Sequence, residues 1–310
     1  MEGHVKQDRN ANHTSRRDFI KSIFPLCAAG GLGFNAASDK AKSSVRFGVV
    51  TDLHYADRPV AGTRFYRDSL NKIKEAVDVM NRHMPDFLIE LGDFKDQDVN
   101  PAESRTVAYL RTIEGELRKF SGPTYHVLGN HDMDSLSKEQ FLQNVTNSNI
   151  RSGSSYYSFD TKGFHFIVLD ANFITAGQAY DHGNYDWTDA NIPEDELEWL
   201  RGDLAAGSDP TVVFVHQLLD GVGEHYVKNA SQVRQVLERS QRVLAVFQGH
   251  QHRGQYTSIN GIHYITMHAM VEGRRPENNS YSIVKVMPEG NLEVTGFRKE
   301  ESRNLRGPGR

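Results

Sequence analysis

VLGNHDMD, residues 127–134, decides the fold: a short apolar run breaks off into Gly-Asn-His-Asp. It carries no helical stripe, so Val127 and Leu128 read as the end of a buried strand and the polar residues as what that strand delivers. The same construction recurs along the chain. VRFGVV (45–50) ends in Thr51-Asp52-Leu53-His54 and DFLIEL (86–91) in Gly92-Asp93. TVVFV (211–215) ends in His216, and VLAVFQ (243–248) in Gly249-His250-Gln251-His252. Singly, each is a common turn or a satisfied core histidine; five in order, all at strand ends, are hard to obtain by chance.

Helical stripes separate these strands. Leu70, Ile73, Val77 and Met80 make one, Val107, Leu110, Ile113 and Leu117 a second, and Leu197, Leu200 and Leu204 a third after Pro193. Ser137 with Gln140 reads as a capping box opening a helix after the GNHD turn. FHFIVLD (164–170), GIHYITM (261–267), YSIVKV (281–286) and LEVTGF (292–297) add more strands than one parallel sheet takes. The expected fold is α/β, two stacked mixed β-sheets flanked by helices. Ligands of open α/β sheets bind beyond the carboxyl ends of the strands, so the clusters are expected to meet in one cleft. There, carboxylates, imidazoles and one amide oxygen can hold two divalent cations about 3.5–4 Å apart, one carboxylate being shared. Glycines before Asp93, Asn130 and His250 let the backbone turn where a side chain would crowd the ions.

Composition removes other classes. The 310 residues are 38% apolar, enough for one large or two small domains. Cys27 is the only cysteine and lies in the N-terminal segment, so no disulfide, thiolate metal site or cysteine nucleophile is available to the rest. Net charge is -4, and residues 1–38 carry five basic and three acidic groups, leaving -6; no nucleic-acid partner is expected. Residues 1–38 resemble a twin-arginine export signal: Arg16-Arg17, Phe19, a weak apolar run over 20–34, then small residues. The run is too short and glycine-rich to span a membrane, and bulky Leu26 before Cys27 departs from a lipid-attachment box. The expected organisation is signal 1–38, linker 39–44, one domain 45–298 and a disordered tail 299–310. The expected location is periplasmic or extracellular, reached through the twin-arginine machinery.

The ordered set Asp-x-His, Gly-Asp-x-x-Asp, Gly-Asn-His-Asp, His and Gly-His-x-His resembles the calcineurin-like metallophosphoesterase superfamily. The resemblance implies an α/β/β/α sandwich and a bridging hydroxide that attacks phosphorus. It gives one metal to Asp52, His54 and His252, the second to Asn130, His216 and His250, and the bridge to Asp93. His131 then touches substrate and protonates the leaving oxygen, while Asp132 either holds the His131 ring or caps the next helix. Purple acid phosphatases place Tyr where this chain has Asp96, so manganese, iron(II) or zinc is expected rather than their iron(III) site. Asp96 either supports a neighbouring ligand or serves a turn.

FGVVTDLHYAD, RFYRDSL, LGDFKD and HQLL resemble the manganese-dependent ADP-ribose/CDP-alcohol diphosphatase branch. That implies two metal ions, manganese favoured, and hydrolysis of a pyrophosphate or phosphodiester bond in a small phosphorylated substrate. The alternatives are a general exported phosphomonoesterase and a non-catalytic metal- or phosphate-binding protein; the seven intact ligand positions and His131 speak against the second. Arg58, Arg64 and Arg67 either grip a second phosphate or are solvated. Tyr185, within YDHGNYDW (180–187), stacks on a base or packs its own loop, and His268, within TMHAMVEGR (266–274), is a further pocket candidate. His83, His126, His165 and His263 read as packing or surface residues, and no role is argued for Asp134.

Overall fold

Strands β1 (Val45–Val50), β2 (Phe87–Glu90) and β3 (Thr124–His126) run parallel, and β2 and β3 are buried along their whole length. Strands covered on both faces read as continuous apolar runs rather than alternating ones, which is why they were legible. They form one half of a six-stranded sheet completed by β10 (Ser280–Val286), β11 (Leu292–Arg298) and β12 (Arg303–Leu305), in the order β12-β11-β10-β1-β2-β3. The second sheet also has six strands, in the order β4-β5-β6-β7-β9-β8. Its members are β4 (Tyr157–Thr161), β5 (Phe164–Val168), β6 (Thr211–Phe214), β7 (Val243–Gln248), β8 (Arg253–Ile259) and β9 (Ile262–His268). In it β5, β6, β7 and β9 are parallel, with antiparallel β4 and β8 at the edges. The computed structural model describes residues 43–307.

The sheets face each other across an aromatic core. Phe47 stacks on Phe87 at 5.1 Å and meets Phe166, Phe214 and Phe247 edge-on at 5.8, 5.5 and 5.5 Å. Helices α1 (Ser69–His83) and α2 (Glu103–Leu117) cover the outer face of the first sheet, burying Ile73, Val77, Met80, Leu110, Ile113 and Leu117. Beyond the short α3 (Lys138–Leu142), α4 (Glu194–Ala205) and α5 (Ala230–Ser240) cover the second sheet through Leu197, Leu200, Leu204, Val233 and Leu237. The result is the expected four-layer sandwich of two mixed sheets between helices. The capping box at α3 forms as read: Ser137 Oγ accepts from Gln140 N at 3.1 Å and Gln140 Oε1 from Ser137 N at 2.8 Å.

The tail is a correction. Residues from 299 were expected to be disordered, yet Arg303–Leu305 pairs antiparallel with β11, and Leu305 is buried opposite Leu292. His263 holds the next residue by donating Nε2–H to the Arg306 carbonyl at 2.8 Å. Three residues carry too little periodicity to announce a strand; the pairing depends on β11 and on a core that forms only in the fold. The edge strands β4 and β8 and helix α5 were also not read from the sequence. The export signal lies outside the described residues, and among the described residues no helix is long and apolar enough to cross a membrane.

His165 illustrates the bland histidines. On β5 it sits between Asp160 Oδ1 at 2.7 Å and Asp203 Oδ2 at 2.6 Å. Burial opposes a charge there, but the two carboxylates outweigh it and raise the imidazole above its ordinary value. A group raised in the folded state contributes stability that is complete below its unfolded value of about 6.5 and fades as pH climbs through the folded one. His165→Gln should therefore lower the melting temperature most at about pH 5.5 and progressively less above neutrality. Thermal unfolding across pH checks this, and a loss weighted to alkaline solution would contradict the ion pairing.

Candidate metal centre

The loops leaving β1, β2, β3, β6 and β7 meet at one end of the sandwich and are stitched together by backbone bonds. Asp52 N donates to Gly92 O at 3.0 Å, His54 N to Asp93 O at 2.8 Å and Gly249 N to His216 O at 3.0 Å. His216 ties the two sheets by donating Nδ1–H to the Leu91 carbonyl at 2.8 Å. Asp52, His54, Asp93 and His250 all have positive φ, from 44° to 66°. Non-glycine residues pay about 1–3 kcal/mol each for such backbone, which persists where the surroundings over-determine it, typically at functional sites. The glycines matter partly for another reason than turning. A Cβ on Gly129 would lie 2.1 Å from Asp93 N, and one on Gly249 would lie 2.3 Å from Thr51 Oγ1. They let two loops touch.

Two triads result, joined by Asp93. In the first, His54 Nε2 is 3.8 Å from Asp52 Oδ1 and 3.3 Å from His252 Nε2, with His252 Nε2 3.4 Å from Asp52 Oδ1. A circle through those three atoms has a radius of about 2 Å, the length of a metal–nitrogen or metal–oxygen bond. In the second, His216 Nε2 is 3.2 Å from Asp93 Oδ2, and His250 offers a ring nitrogen to the same group. Asp93 Oδ2 is also 3.5 Å from His54 Nε2, so one oxygen faces both triads, while Oδ1 accepts the His131 N–H at 2.7 Å.

The donor set fits cations. His250 Nε2 and Asn130 Oδ1 are buried without a hydrogen-bond partner among the described residues, and buried polar atoms left so cost about 1–3 kcal/mol each. Three of the four candidate imidazoles, His54, His216 and His252, have second contacts that orient them, as metal-binding histidines require. His252 donates Nδ1–H to Glu272 Oε1 at 2.6 Å, and His54 Nδ1 lies 3.4 Å from Asp96 Oδ2. Six of the seven positions assigned by resemblance therefore converge, and Asn130, next to the His131 N–H that Asp93 holds, is buried with its Oδ1 unpaired among the described residues. Asp96 takes the expected supporting place beside His54, and Glu272 and Thr51, whose hydroxyl donates to Asp52 Oδ2 at 2.7 Å, are supports the sequence reading missed. Glu272 lies 20 residues beyond His252, outside any motif spacing.

Asp132 is engaged by backbone N–H groups: it closes the capping box of the short 3-10 turn Asn130–Met133, while the following helix has Ser137 as its N-cap. Its oxygens accept backbone N–H from Gly129 at 2.8 Å, Asp93 at 3.0 Å, Phe94 at 3.0 Å and Lys95 at 3.4 Å, locking the β2 and β3 loops together. His131, partly exposed, stands edge-on to His54 at 4.7 Å, its Nδ1 3.7 Å from both Asp96 Oδ2 and Asp134 Oδ2.

The remaining candidates have partners of their own. Arg58 donates to Gln97 O at 2.9 Å and lies 3.4 Å from Asp96 Oδ1, bracing the carboxylate beside His54. Exposed Arg67 pairs with Asp57 at 2.5 Å, and Arg64 bridges Ala61 and Glu272 through its backbone. Tyr185 stacks on Tyr180 at 3.9 Å and donates its hydroxyl to the Asn130 carbonyl, so it packs its own loop against the GNHD turn. His268 accompanies Glu300, which accepts its backbone N–H at 2.9 Å. The rim carries Trp187, 38% exposed and 5.6 Å from the His250 ring, with His225 5.2 Å from the same ring; His225 had no sequence signal.

The model of the calcineurin-like phosphoesterase family matches residues 45–254, which hold all five motifs. The chain belongs to that family. Two curated relatives are manganese-dependent ADP-ribose/CDP-alcohol diphosphatases. The one from Arabidopsis thaliana is 28% identical, covering 83% of this chain and 95% of its own. The one from Oryza sativa subsp. japonica is 27% identical, covering 80% and 90%. Among solved structures, a dimetal phosphatase from Danio rerio superposes with a TM-score of 0.71 at 22% identity, covering 86% of this chain and 99% of its own, which shows the shared fold. This calcineurin-like phosphoesterase is a phosphoester hydrolase.

Electrostatics set how cations would enter. Burial disfavours charge on Asp52 and Asp93, but His252 and His54 beside the first and His216 beside the second hold both carboxyls well below the usual range. Burial likewise opposes charge on His216 and His252, yet Asp93 draws the first up to about 10, and Asp52 and Glu272 draw the second up to about 9. Burial and the neighbouring His216 hold His250 well below its ordinary value.

At pH 7.5, cation-free protein thus carries protons on His216 and His252 that binding must expel, so affinity rises as pH rises. Manganese titrated calorimetrically into chelator-treated protein in buffers of different ionisation enthalpy should release about one to two protons per chain; no proton release would contradict this charge pattern. Asp132→Ala should cost about 2–4 kcal/mol in stability, by leaving backbone N–H groups unpaired. Chemical denaturation checks it, and a loss under about 0.5 kcal/mol would refute the locking role.

Proposed function

We propose that this phosphoesterase hydrolyses the diphosphate bond of a small nucleoside diphosphate derivative of the ADP-ribose or CDP-alcohol type, with manganese in both positions. The observation that carries the reading is Asp93 Oδ2, which faces His54 at 3.5 Å and His216 at 3.2 Å and so joins two three-residue ligand sets into one paired centre. Asp52, His54 and His252 would hold one ion, Asn130, His216 and His250 the other, and Asp93 both. When bound, such a pair lowers the pKa of coordinated water and offsets charge on the phosphoryl oxygens.

The chain's own residues supply the rest. The Leu91 carbonyl and Glu272 keep Nδ1–H on His216 and His252, leaving each Nε2 to face the centre. His131 stands on the open side, and an imidazole there can give a proton to the departing oxygen. Burial works against its protonated form, but Asp93, Asp134 and Asp96 outweigh it and raise its pKa above the ordinary histidine value. Trp187 and His225 offer ring faces beside His250 to the organic part of a substrate. The likeness to two plant diphosphatases supports the substrate class.

The test is a substrate panel on manganese-loaded protein: ADP-ribose, CDP-choline, a chromogenic phosphodiester and a chromogenic phosphomonoester. The diphosphates should show kcat/KM at least about 10-fold above the monoester, and chelation should abolish all activity. Preference for the monoester would leave a general phosphatase, and two bound ions without turnover of any substrate would leave a binding protein.

A further inference from the structure

We propose that Lys72, a buried lysine of α1, is a positioning residue for one of the two cations: it holds the strap at residues 269–273, whose Glu272 orients the His252 ring. The inference rests on the reading of Asp52, His54 and His252 as one ligand set and concerns what holds that set from outside.

The strap follows β9, and its first backbone N–H groups all go to ligand-bearing loops. Ala269 donates to His252 O at 3.1 Å, Met270 to Thr51 O at 3.1 Å and Val271 to Asp52 O at 2.9 Å. It therefore joins the β1 loop that carries Asp52 to the β7 loop that carries His252. Its carbonyls turn to α1 instead. Lys72 Nζ donates to Met270 O at 2.6 Å, Gly273 O at 2.7 Å and Glu272 O at 3.1 Å, while Phe65 N donates to Val271 O at 3.0 Å. From this base the Glu272 carboxylate accepts the His252 Nδ1–H at 2.6 Å, with Thr63 hydrogen-bonded to the same carboxylate.

An ammonium has three N–H donors and no acceptor, so the three carbonyls satisfy Lys72 completely. The match matters because Lys72 is only 1% exposed, and a charge so buried is tolerated where every donor is engaged. Its helix is itself fixed to the site. Asn279 Nδ2 donates to Lys72 O at 3.0 Å, and Ser69 Oγ, one turn earlier, donates to Leu53 O at 2.5 Å, inside the Asp52–His54 turn. The other ammonium nearby, Lys299 Nζ, reaches only Glu272 O, at 3.4 Å. Without Lys72 the strap would lose three hydrogen bonds, and Glu272 the fixed backbone from which it reaches His252. Among the described residues no hydrogen bond of the strap goes to Asn130, His216 or His250, so the effect falls on one ion of the pair.

Calorimetric titration of manganese into chelator-treated full-length protein tests this with Lys72→Met, Glu272→Ala, the double variant and His252→Ala. The unmodified chain should bind two ions, and His252→Ala, which removes a ligand, marks the one held by the first set. Lys72→Met keeps the apolar stem but removes the donors; it should weaken that ion about 10-fold and leave the other within about 2-fold. Glu272→Ala should weaken the same ion about 10- to 100-fold, and adding Lys72→Met to it should cost less than about 2-fold more, because both act through one carboxylate. Lys72→Gln, which retains two N–H donors, guards against a Lys72→Met chain that folds poorly and should weaken the same ion selectively. A residue that served only overall stability would not distinguish the two ions. Unchanged affinity for both, equal weakening of both, or losses that multiply in the double variant would overturn the role of Lys72. An unmodified chain that binds fewer than two ions, or a His252→Ala chain that keeps both at full affinity, would instead overturn the ligand assignment on which that role rests.

Discussion

The site hangs on one buried carboxylate. Asp93 places one oxygen against the His131 backbone N–H and the other between His54 and His216, and the carbonyl of its own peptide receives the His54 N–H. His54 and His216 come from opposite sheets, so the geometry at Asp93 requires the two sheets to pack in one register. The aromatic cluster around Phe47 sets that register, because close-packed rings tolerate little sliding. Core and centre are therefore two ends of one constraint.

Around this point the fold accepts local costs. Around the centre four residues sit in left-handed backbone, carboxylates are ionised while buried, and among the described residues polar atoms are buried unpaired. Each would be a defect in a structural core. Together they describe a place shaped for divalent cations, whose charge would offset the carboxylates and whose coordination would satisfy the orphaned nitrogen and oxygen. The strain is bearable because supports sit outside the centre: Asp132 on four backbone N–H groups, Glu272 on His252, and the Leu91 carbonyl on His216.

The GNHD turn shows how closely spaced polar residues divide their labour. Asn130 keeps its amide oxygen unpaired while Tyr185 holds its carbonyl, His131 stands partly exposed, Asp132 faces inward to lock loops, and Asp134 faces the imidazole. Successive side chains of a tight 3-10 turn point in different directions, so nearness along the chain predicts little about contact. Asp132, adjacent to His131 in the chain, thus has its oxygens engaged by backbone N–H groups.

The sequence by itself determined the layered architecture, the helices whose apolar stripes reach the core, and the clusters of candidate ligands at five strand ends. Periodicity and strand-terminal chemistry are local, and each motif fits within about ten residues. Tertiary structure alone decided the rest. The strand at Arg303–Leu305 needs β11 beside it, Glu272 reaches His252 from 20 residues away, and His225 meets His250 only because two loops of the second sheet converge. Those contacts have no period and no spacing; they exist because burial and packing bring remote segments within hydrogen-bonding distance, which a one-dimensional pattern does not encode.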